Sequence, residues 1–166
     1  MNPNDSEQVL QERAEATVTA PDKRPSCVAD VMTRSTITLS PHHSFSEAVT
    51  LMADRHFRHI VVVDTGGQVV GVISDRDILR GLARTPHWQS KDVSQIMTRE
   101  PMTVKPETSL SVAVSKLLAK RINCLPVVTD DGRICGILTS TDLLKSYQKT
   151  LASSERTSSQ SKSQQL

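Results

Sequence analysis

The sequence repeats itself, because its two halves share one pattern at a constant displacement of 65 residues. VMTRSTITLSP at Val31–Pro41 returns as IMTREPMTVKP at Ile96–Pro106, and GVISDRDIL at Gly71–Leu79 returns as GILTSTDLL at Gly136–Leu144. A repeat of this length corresponds to a structural unit rather than to a short motif. Two similar units that pack together generate a pseudo-twofold axis with equivalent clefts beside it. The repeat therefore predicts a functional site in those clefts.

The size, charge and composition of the chain narrow the classes of protein to which it can belong. Each repeat spans roughly 50 residues, which is near the lower limit for folding alone, so we expect the repeats to share one core. The net charge of +2 and the aromatic content of 2% argue against nucleic acid as a partner. The polar N-terminus and the lack of an apolar run of about 20 residues favour a cytoplasmic protein without membrane contact.

Each repeat has the pattern of a β-α-β-β-α unit, which predicts an α+β (α/β) fold. Strands are predicted at Thr36–Leu39, Ile60–Val63 and Gln68–Ile73, with copies at Met102–Val104, Leu125–Val128 and Arg133–Leu138. Helices are predicted to begin at Ser44, Ser74, Leu110 and Thr139. Ser44 has the capping-box spacing to Glu47. After Ser74, the helical spacing predicts Ile78, Leu79 and Leu82 on the buried face.

The composition also predicts how the chain is divided. We expect a flexible N-terminal leader (1–25), a first repeat (26–83), a linker (84–92), a second repeat (93–151) and a disordered tail rich in Ser and Gln (152–166). Trp88 in the linker is interpreted as a packing anchor between the repeats. The two repeats are expected to pack with pseudo-twofold symmetry.

The strongest candidate for a binding site is a doubled pattern of Gly, two apolar residues, a hydroxyl residue and, three residues later, an acid. It occurs as Gly71, Ser74 and Asp77 and again as Gly136, Thr139 and Asp142. The pattern lies where a strand passes into a helix, and free N–H groups and the helix dipole there favour an anion. The carboxylate would accept hydrogen bonds from a ribose. The same spacing is also that of a capping box, which requires no ligand.

A second candidate is the basic cluster ahead of the first hairpin. It consists of Arg55, His56, Arg58 and His59. These side chains would neutralise a phosphate, or they would only interact favourably with the C-terminus of a helix. In the second repeat Asn123 and Cys124 stand in place of Arg58 and His59, so the two clefts are expected to differ.

The remaining patterns predict neither a metal centre nor a catalytic centre. The histidines lack a third ligand at a suitable spacing, and the three cysteines are interpreted as reduced thiols. No nucleophile elbow and no glycine-rich phosphate loop occurs in the sequence. The sequence therefore predicts a protein that is not an enzyme and that needs no cofactor.

Taken together, these motifs resemble a tandem pair of CBS domains. The resemblance covers roughly Val28 to Tyr147 and includes the strand NCLPVV as well as the repeated openings and endings. It implies that the two domains pack through their sheets into a module often called a Bateman module. Such modules commonly bind AMP, ADP, ATP, S-adenosylmethionine or NADH in two clefts between the repeats.

The resemblance also implies roles for individual residues. Asp77 and Asp142 would hold ribose hydroxyls, and Ile37 and Met102 would line the adenine. The residues implied near phosphate or ribose are Ser74, Thr139 and Thr141, with Arg58 and His59 reaching the phosphate of the Asp142 cleft. Arg76 stands where the second repeat has Thr141. The Asp142 cleft is therefore predicted to bind nucleotide better than the Asp77 cleft, which has poorer basic support.

The leading interpretation is a stand-alone regulatory module that senses adenine nucleotides, with or without magnesium, and signals to a partner protein. A homodimer is expected. Two alternatives remain: an interaction module whose clefts are vestigial, and an enzyme that acts on a nucleotide.

Overall fold

The computed structural model describes residues 24–84 and 86–163, so almost all of the leader predicted for 1–25 lies outside the described residues. The strands are β1 (Thr38–Leu39), β2 (His59–Val63), β3 (Val69–Ser74), β4 (Thr98–Arg99), β5 (Cys124–Val128) and β6 (Ile134–Thr139). The helices are α1 (Phe45–Arg55), α2 (Asp75–Arg84), α3 (Leu110–Lys120) and α4 (Ser140–Ser163). This mixture of elements confirms the predicted α+β fold built from two repeats.

Local sequence signals explain where the main elements begin and turn. The Ser44 hydroxyl accepts a hydrogen bond from the Glu47 N–H, and the Glu47 carboxylate accepts one from the Ser44 N–H at 2.7 Å. This is the predicted capping box, and it fixes the first turn of α1. The two hairpins turn at Gly67 and Gly132, which both have φ of +79°. That backbone conformation is readily adopted only by glycine.

Each repeat completes the sheet of the other repeat. The first sheet has the order β1-β2-β3-β4, and its edge strand β4 belongs to the opening segment of the second repeat. Thr98 of β4 pairs with Val72, and the equivalent residue Thr33 pairs with Ile137 of β6. The opening segments are thus exchanged between the repeats. Because of this exchange, neither repeat has a complete sheet without the other.

The hydrophobic core follows the same exchange. Val28, from the opening of the first repeat, is buried among residues of α3, β5 and β6, while Val93 is buried beneath α1. The facing strands of the two sheets meet in a third apolar cluster made of Val61, Val72, Cys124 and Ile137. The expected shared core is therefore present, and its centre lies between the repeats.

Some elements differ from the sequence prediction. The predicted strand at Met102–Val104 is reduced to one parallel bridge from Val104 to Val127. Leu79 and Leu82 are exposed, so only Ile78 of the predicted inward set in α2 is buried. Trp88 packs edge-on against Phe45 of α1, with ring centroids 5.2 Å apart.

The last helix is longer than the sequence predicted. α4 continues to Ser163, through much of the segment expected to be a disordered tail. No Gly or Pro follows Gly136 in the sequence, so no residue of the usual helix-terminating types ends the helix earlier. Along α4, the Thr150 hydroxyl donates to the Ser146 carbonyl oxygen at 3.1 Å. Such a bond to the preceding turn gives the hydroxyl group a hydrogen-bond partner while the backbone stays helical.

Gly136 allows the exchanged segment to approach β6. A Cβ atom at this position would lie 2.9 Å from the Thr33 carbonyl oxygen and 3.0 Å from the Met32 sulfur. We therefore expect Gly136→Ala to lower the free energy of unfolding by about 1–3 kcal/mol, measured by urea titration. Gly71→Ala is the matched control, because its Cβ would meet only the flexible side chain of Met97. Equal losses in the two variants would show that the backbone approach of Thr33 is not the limiting contact.

Candidate functional site

The doubled acid pattern forms two nearly identical helix starts. At the junction of β6 and α4, Asp142 Oδ2 accepts from the Thr139 N–H at 2.8 Å and from the Thr139 hydroxyl at 2.5 Å. At the junction of β3 and α2, Asp77 Oδ2 accepts from the Ser74 N–H at 3.0 Å and from the Ser74 hydroxyl at 2.6 Å. The capping interpretation is therefore confirmed for both copies. Each carboxylate keeps its second oxygen for another contact.

The second oxygen of each acid has a different neighbour. Thr33, from the exchanged opening segment, donates its hydroxyl hydrogen to Asp142 Oδ1 at 3.1 Å. Arg80 instead lies 3.6 Å from Asp77 Oδ1, in the next turn of the same helix. Sequence reasoning missed Thr33 as a site residue. The signal was present, because Thr33 and Thr98 occupy the same place in the repeated openings.

A cavity of about 420 Å³, which we name the Asp142 cleft, opens between the repeats at α4. It brings together the residues that the sequence assigned to it, which are Arg58, His59, Thr139, Thr141 and Asp142, and it also contains Ile37, which was predicted to line the adenine. Sequence reasoning did not identify further lining residues, among them Thr33, Ser35, Thr36, Phe57 and Lys145. The wall therefore combines hydroxyl groups, cations and the apolar side chains of Ile37 and Phe57.

The symmetry-related cavity, which we name the Asp77 cleft, measures about 210 Å³. It contains the other four predicted residues: Ser74, Arg76, Asp77 and Met102. Arg58 and His59 line this cleft as well. The basic support of the Asp77 cleft is greater than the sequence suggested, because Arg80 and Arg121 also lie in its wall. The clearer difference between the clefts is their volume.

Two carboxylates and a guanidinium group lie close to His59. The Arg58 Nε group donates to Asp75 Oδ2 at 2.8 Å. Burial raises the pKa of Asp75, but this hydrogen bond and the charge of Arg58 outweigh it, so the pKa falls below its ordinary value. Burial lowers the pKa of His59; Arg58 acts in the same direction, while Asp75 and Asp77 oppose it. His59 is therefore a neutral imidazole at pH 7.

The partial burial of His59 makes the free energy of unfolding depend on pH. The pKa of His59 is lower in the folded state than the value of 6.5 for the unfolded chain. As the pH falls, the unfolded state therefore binds a proton more readily than the folded state does. We expect the free energy of unfolding to fall as the pH drops from about 7 to about 5.5. Urea titrations of His59→Gln should show a flatter pH profile than those of the parent protein. A parent profile that is flat over this range would contradict the assignment.

Neither metal nor thiol chemistry is indicated by the described part of the chain. Within residues 24–84 and 86–163, no three His, Cys, Asp or Glu side chains are grouped so that they could hold a metal ion. Burial, with a smaller effect of the Asp77 carboxylate, raises the pKa of Cys124 to about 12. Cys124 is therefore a protonated core residue and not a reactive thiolate.

The architecture and the two clefts define a class of pseudo-symmetric tandem modules, and comparison with known proteins identifies the family. The CBS domain family matches residues 28–84 and 93–149. The chain therefore belongs to the CBS-domain family and contains two CBS domains. Within the described residues, no helix combines the length and apolar character needed to cross a membrane.

Solved structures and curated relatives agree with this assignment. The CBS domain pair of protein MJ0100, in complex with 5′-methylthioadenosine and S-adenosyl-L-methionine, is 29% identical with a TM-score of 0.69, covering 75% of this chain and 97% of that one. CBSX2, solved in complex with AMP, is 29% identical with a TM-score of 0.68 and coverages of 75% and 97%.

Among curated relatives, inosine-5′-monophosphate dehydrogenase of Mycobacterium tuberculosis is 33% identical over 125 residues, which are 75% of this chain and 23% of that enzyme. Homoserine O-acetyltransferase of Methanohalobium evestigatum is 29% identical over 116 residues, which are 70% of this chain and 23% of that enzyme. The chain thus spans about a quarter of the length of the curated relatives it matches.

Proposed function

We propose that this chain is a non-catalytic regulatory module that binds an adenine nucleotide or a related adenosyl ligand, most tightly in the Asp142 cleft. The observation that carries the proposal is the convergence of Asp142, Thr139, Arg58 and His59 on one cavity of about 420 Å³. This volume lies within the range of about 300–1,000 Å³ that is typical of ligand pockets. The Asp77 cleft, at about 210 Å³, lies below that range. The adenosyl ligands bound by MJ0100 and CBSX2 support the same class of ligand.

Each part of the ligand would meet a chemically complementary part of the Asp142 cleft. Ribose hydroxyls would donate to Asp142 and take the place of the Thr33 hydroxyl at Oδ1. The adenine ring would lie against Ile37 and Phe57, which present apolar surface. The phosphate would meet Arg58, whose guanidinium suits bidentate recognition of oxyanions. No magnesium ion is required for this arrangement, because the cleft itself supplies positive charge.

The exchanged segment links binding to a conformational change. Thr33 connects the opening of the first repeat to Asp142 of the second repeat, so a ribose that replaces this contact acts on both repeats at once. A ligand that prefers one arrangement of the repeats shifts the population toward it. We propose that a cytoplasmic partner protein reads this shift.

A thermal-shift titration tests the proposal against its alternatives. AMP at about 100 times its Kd should add about 2.7 kcal/mol of stability. If neither AMP, ADP, ATP nor S-adenosylmethionine raises the melting temperature at millimolar concentration, adenosyl binding is contradicted and the interaction-module alternative is favoured. Conversion of AMP or ATP during prolonged incubation with the pure protein would instead favour the enzyme alternative. We expect the nucleotides to be recovered intact.

We propose further that two copies of the chain associate through α2 and α4. These helices expose apolar side chains at equivalent positions, with Leu79 and Leu144 accessible to 67% and 68%. The next turn repeats the pattern with Leu82 and Tyr147. A patch with internal pseudo-twofold symmetry is well suited to a twofold contact with its own copy, and paired exposed leucines indicate an interaction surface.

The oligomeric state in solution tests the association. Leu144→Lys should convert a dimer into a monomer in sedimentation experiments, because a charge would be buried in an apolar contact. Leu118→Lys is the matched control, since Leu118 of α3 is also exposed, at 73%, but lies outside the patch. A parent chain that sediments as a monomer, or an equal effect of the two substitutions, would contradict the assignment.

A further inference from the structure

Arg58 occupies a special position between the two clefts. Its side chain lines both the Asp142 cleft and the Asp77 cleft, as do those of His59 and Asn123. The residue equivalent to Arg58 in the second repeat is Asn123. At this pair of equivalent positions, the shared wall therefore has a single guanidinium group where exact symmetry would supply two. One permanent cation at this place faces two potential phosphate sites.

In the structure, Arg58 forms an ion pair on the side of the Asp77 cleft. It donates to Asp75 at 2.8 Å, and Asp75 lines the Asp77 cleft. The counterpart of Asp75 in the second repeat is Ser140, which carries no charge and donates to Asn123 Oδ1 at 3.4 Å. The ion pair is therefore a feature of the first repeat alone. Because Arg58 is largely exposed, exchange of this partner for a phosphate requires no unfolding of the core.

We propose that Arg58 is a phosphate contact shared by the two clefts, so that a nucleotide bound in one cleft weakens the binding of a second nucleotide in the other. This inference rests on the proposed function and adds a coupling to it. A phosphate in the Asp142 cleft draws the guanidinium away from Asp75. The Asp75 carboxylate then stays unpaired in the Asp77 cleft and repels a second phosphate. A nucleotide in the Asp77 cleft has the reverse effect, because it retains Arg58 there.

The remaining charges limit the size of the effect. Arg76, Arg80 and Arg121 still line the Asp77 cleft when Arg58 leaves, and Asp77 itself lies 3.6 Å from Arg80. The second nucleotide is therefore weakened and not excluded. We expect a factor of about 10 between independent and coupled binding, within the usual range of coupling between sites. Adenosine has no phosphate, so it should bind the two clefts independently.

Calorimetric titration of variants with a single intact cleft measures this coupling. Asp142→Ala leaves the Asp77 cleft, and Asp77→Ala leaves the Asp142 cleft. For AMP, the parent isotherm should be weaker than the sum of the two single-cleft isotherms by about 10-fold at the second site. For adenosine, the parent isotherm should equal that sum.

Two substitutions at the ion pair separate coupling from simple differences between the clefts. Arg58→Gln should lower the affinity for AMP in both single-cleft backgrounds, leave that for adenosine unchanged, and make the AMP isotherm additive. Asp75→Asn keeps the cation but removes its competing carboxylate. It should therefore strengthen AMP binding in the Asp142 cleft and reduce the coupling factor.

The outcomes distinguish this inference from the function on which it rests. Additive AMP isotherms in the parent, or an Asp142→Ala variant that binds adenosine but no AMP, overturn the shared contact and leave nucleotide binding in place. If neither AMP nor adenosine binds to the parent or to any variant, the proposed function fails and the coupling fails with it. A parent that binds one AMP, while each single-cleft variant also binds one, supports the strongest form of the coupling.

Discussion

Asp142→Ala is expected to weaken AMP binding by about 100-fold in isothermal titration. The ribose would lose an ionised acceptor for two hydroxyl groups, and hydrogen bonds to charged groups contribute about 1.5–3 kcal/mol each. Thr33 and Thr139 would also lose the carboxylate that orients their hydroxyls. Asp77→Ala should reduce the total affinity much less, because the smaller cleft contributes little of it.

The same substitution removes a helix cap, so its effect on stability must be separated from its effect on binding. Asp142 accepts the Thr139 N–H at 2.8 Å, and Asp77 accepts the Ser74 N–H at 3.0 Å. Each Ala variant should therefore lose about 1 kcal/mol of stability. Since both variants lose an equivalent cap, a difference in their AMP affinity reports the clefts themselves. If Asp77→Ala is the more damaging change for binding, the ranking of the clefts is reversed.

Phe45→Ala is expected to produce the largest loss of stability, about 3–5 kcal/mol in a urea titration. Phe45 is 1% exposed at the start of α1 and packs edge-on against Trp88 of the linker. Its ring also lies against Gly81, where an added Cβ would come within 2.9 Å of it. Removing the ring leaves a cavity where α1, α2 and the linker meet, and it also removes an aromatic pair.

A matched aromatic control is available at Phe57. That ring is 37% exposed beyond the end of α1, so Phe57→Ala should cost less than about 1 kcal/mol. A loss below 1 kcal/mol for Phe45→Ala as well would contradict the burial of Phe45 where α1, α2 and the linker meet. Because Phe57 lines the Asp142 cleft, its substitution should instead lower the affinity for adenosine.

Local signals in the sequence were sufficient for most of the framework. The spacing of Ser44 and Glu47 predicted the start of α1, and the Gly-containing turns predicted both hairpins. The doubled acid pattern predicted the two helix starts whose acids, Asp77 and Asp142, line the two clefts. These features depend on contacts between residues that are close in sequence, or on the repeat itself.

The exchange of the opening segments was not predictable in the same way. β4 has only two residues and Thr33 forms a single bridge, so neither segment shows an alternation that would reveal its partner. The contact between Thr33 and Asp142 joins residues 109 positions apart. The prediction that Leu79 is buried was wrong for a related reason, since helical spacing identifies an apolar face without showing what covers it. Exposed apolar positions on both α2 and α4 favour a second copy as the cover.

A crystal structure of the protein grown with AMP tests nucleotide binding most directly. We expect AMP in the Asp142 cleft, with ribose hydroxyls within hydrogen-bond distance of the Asp142 carboxylate and the phosphate against Arg58. The Arg58 guanidinium should then have left Asp75. AMP bound only in the Asp77 cleft, or bound outside both clefts with the Thr33–Asp142 hydrogen bond intact, would contradict nucleotide binding in the Asp142 cleft.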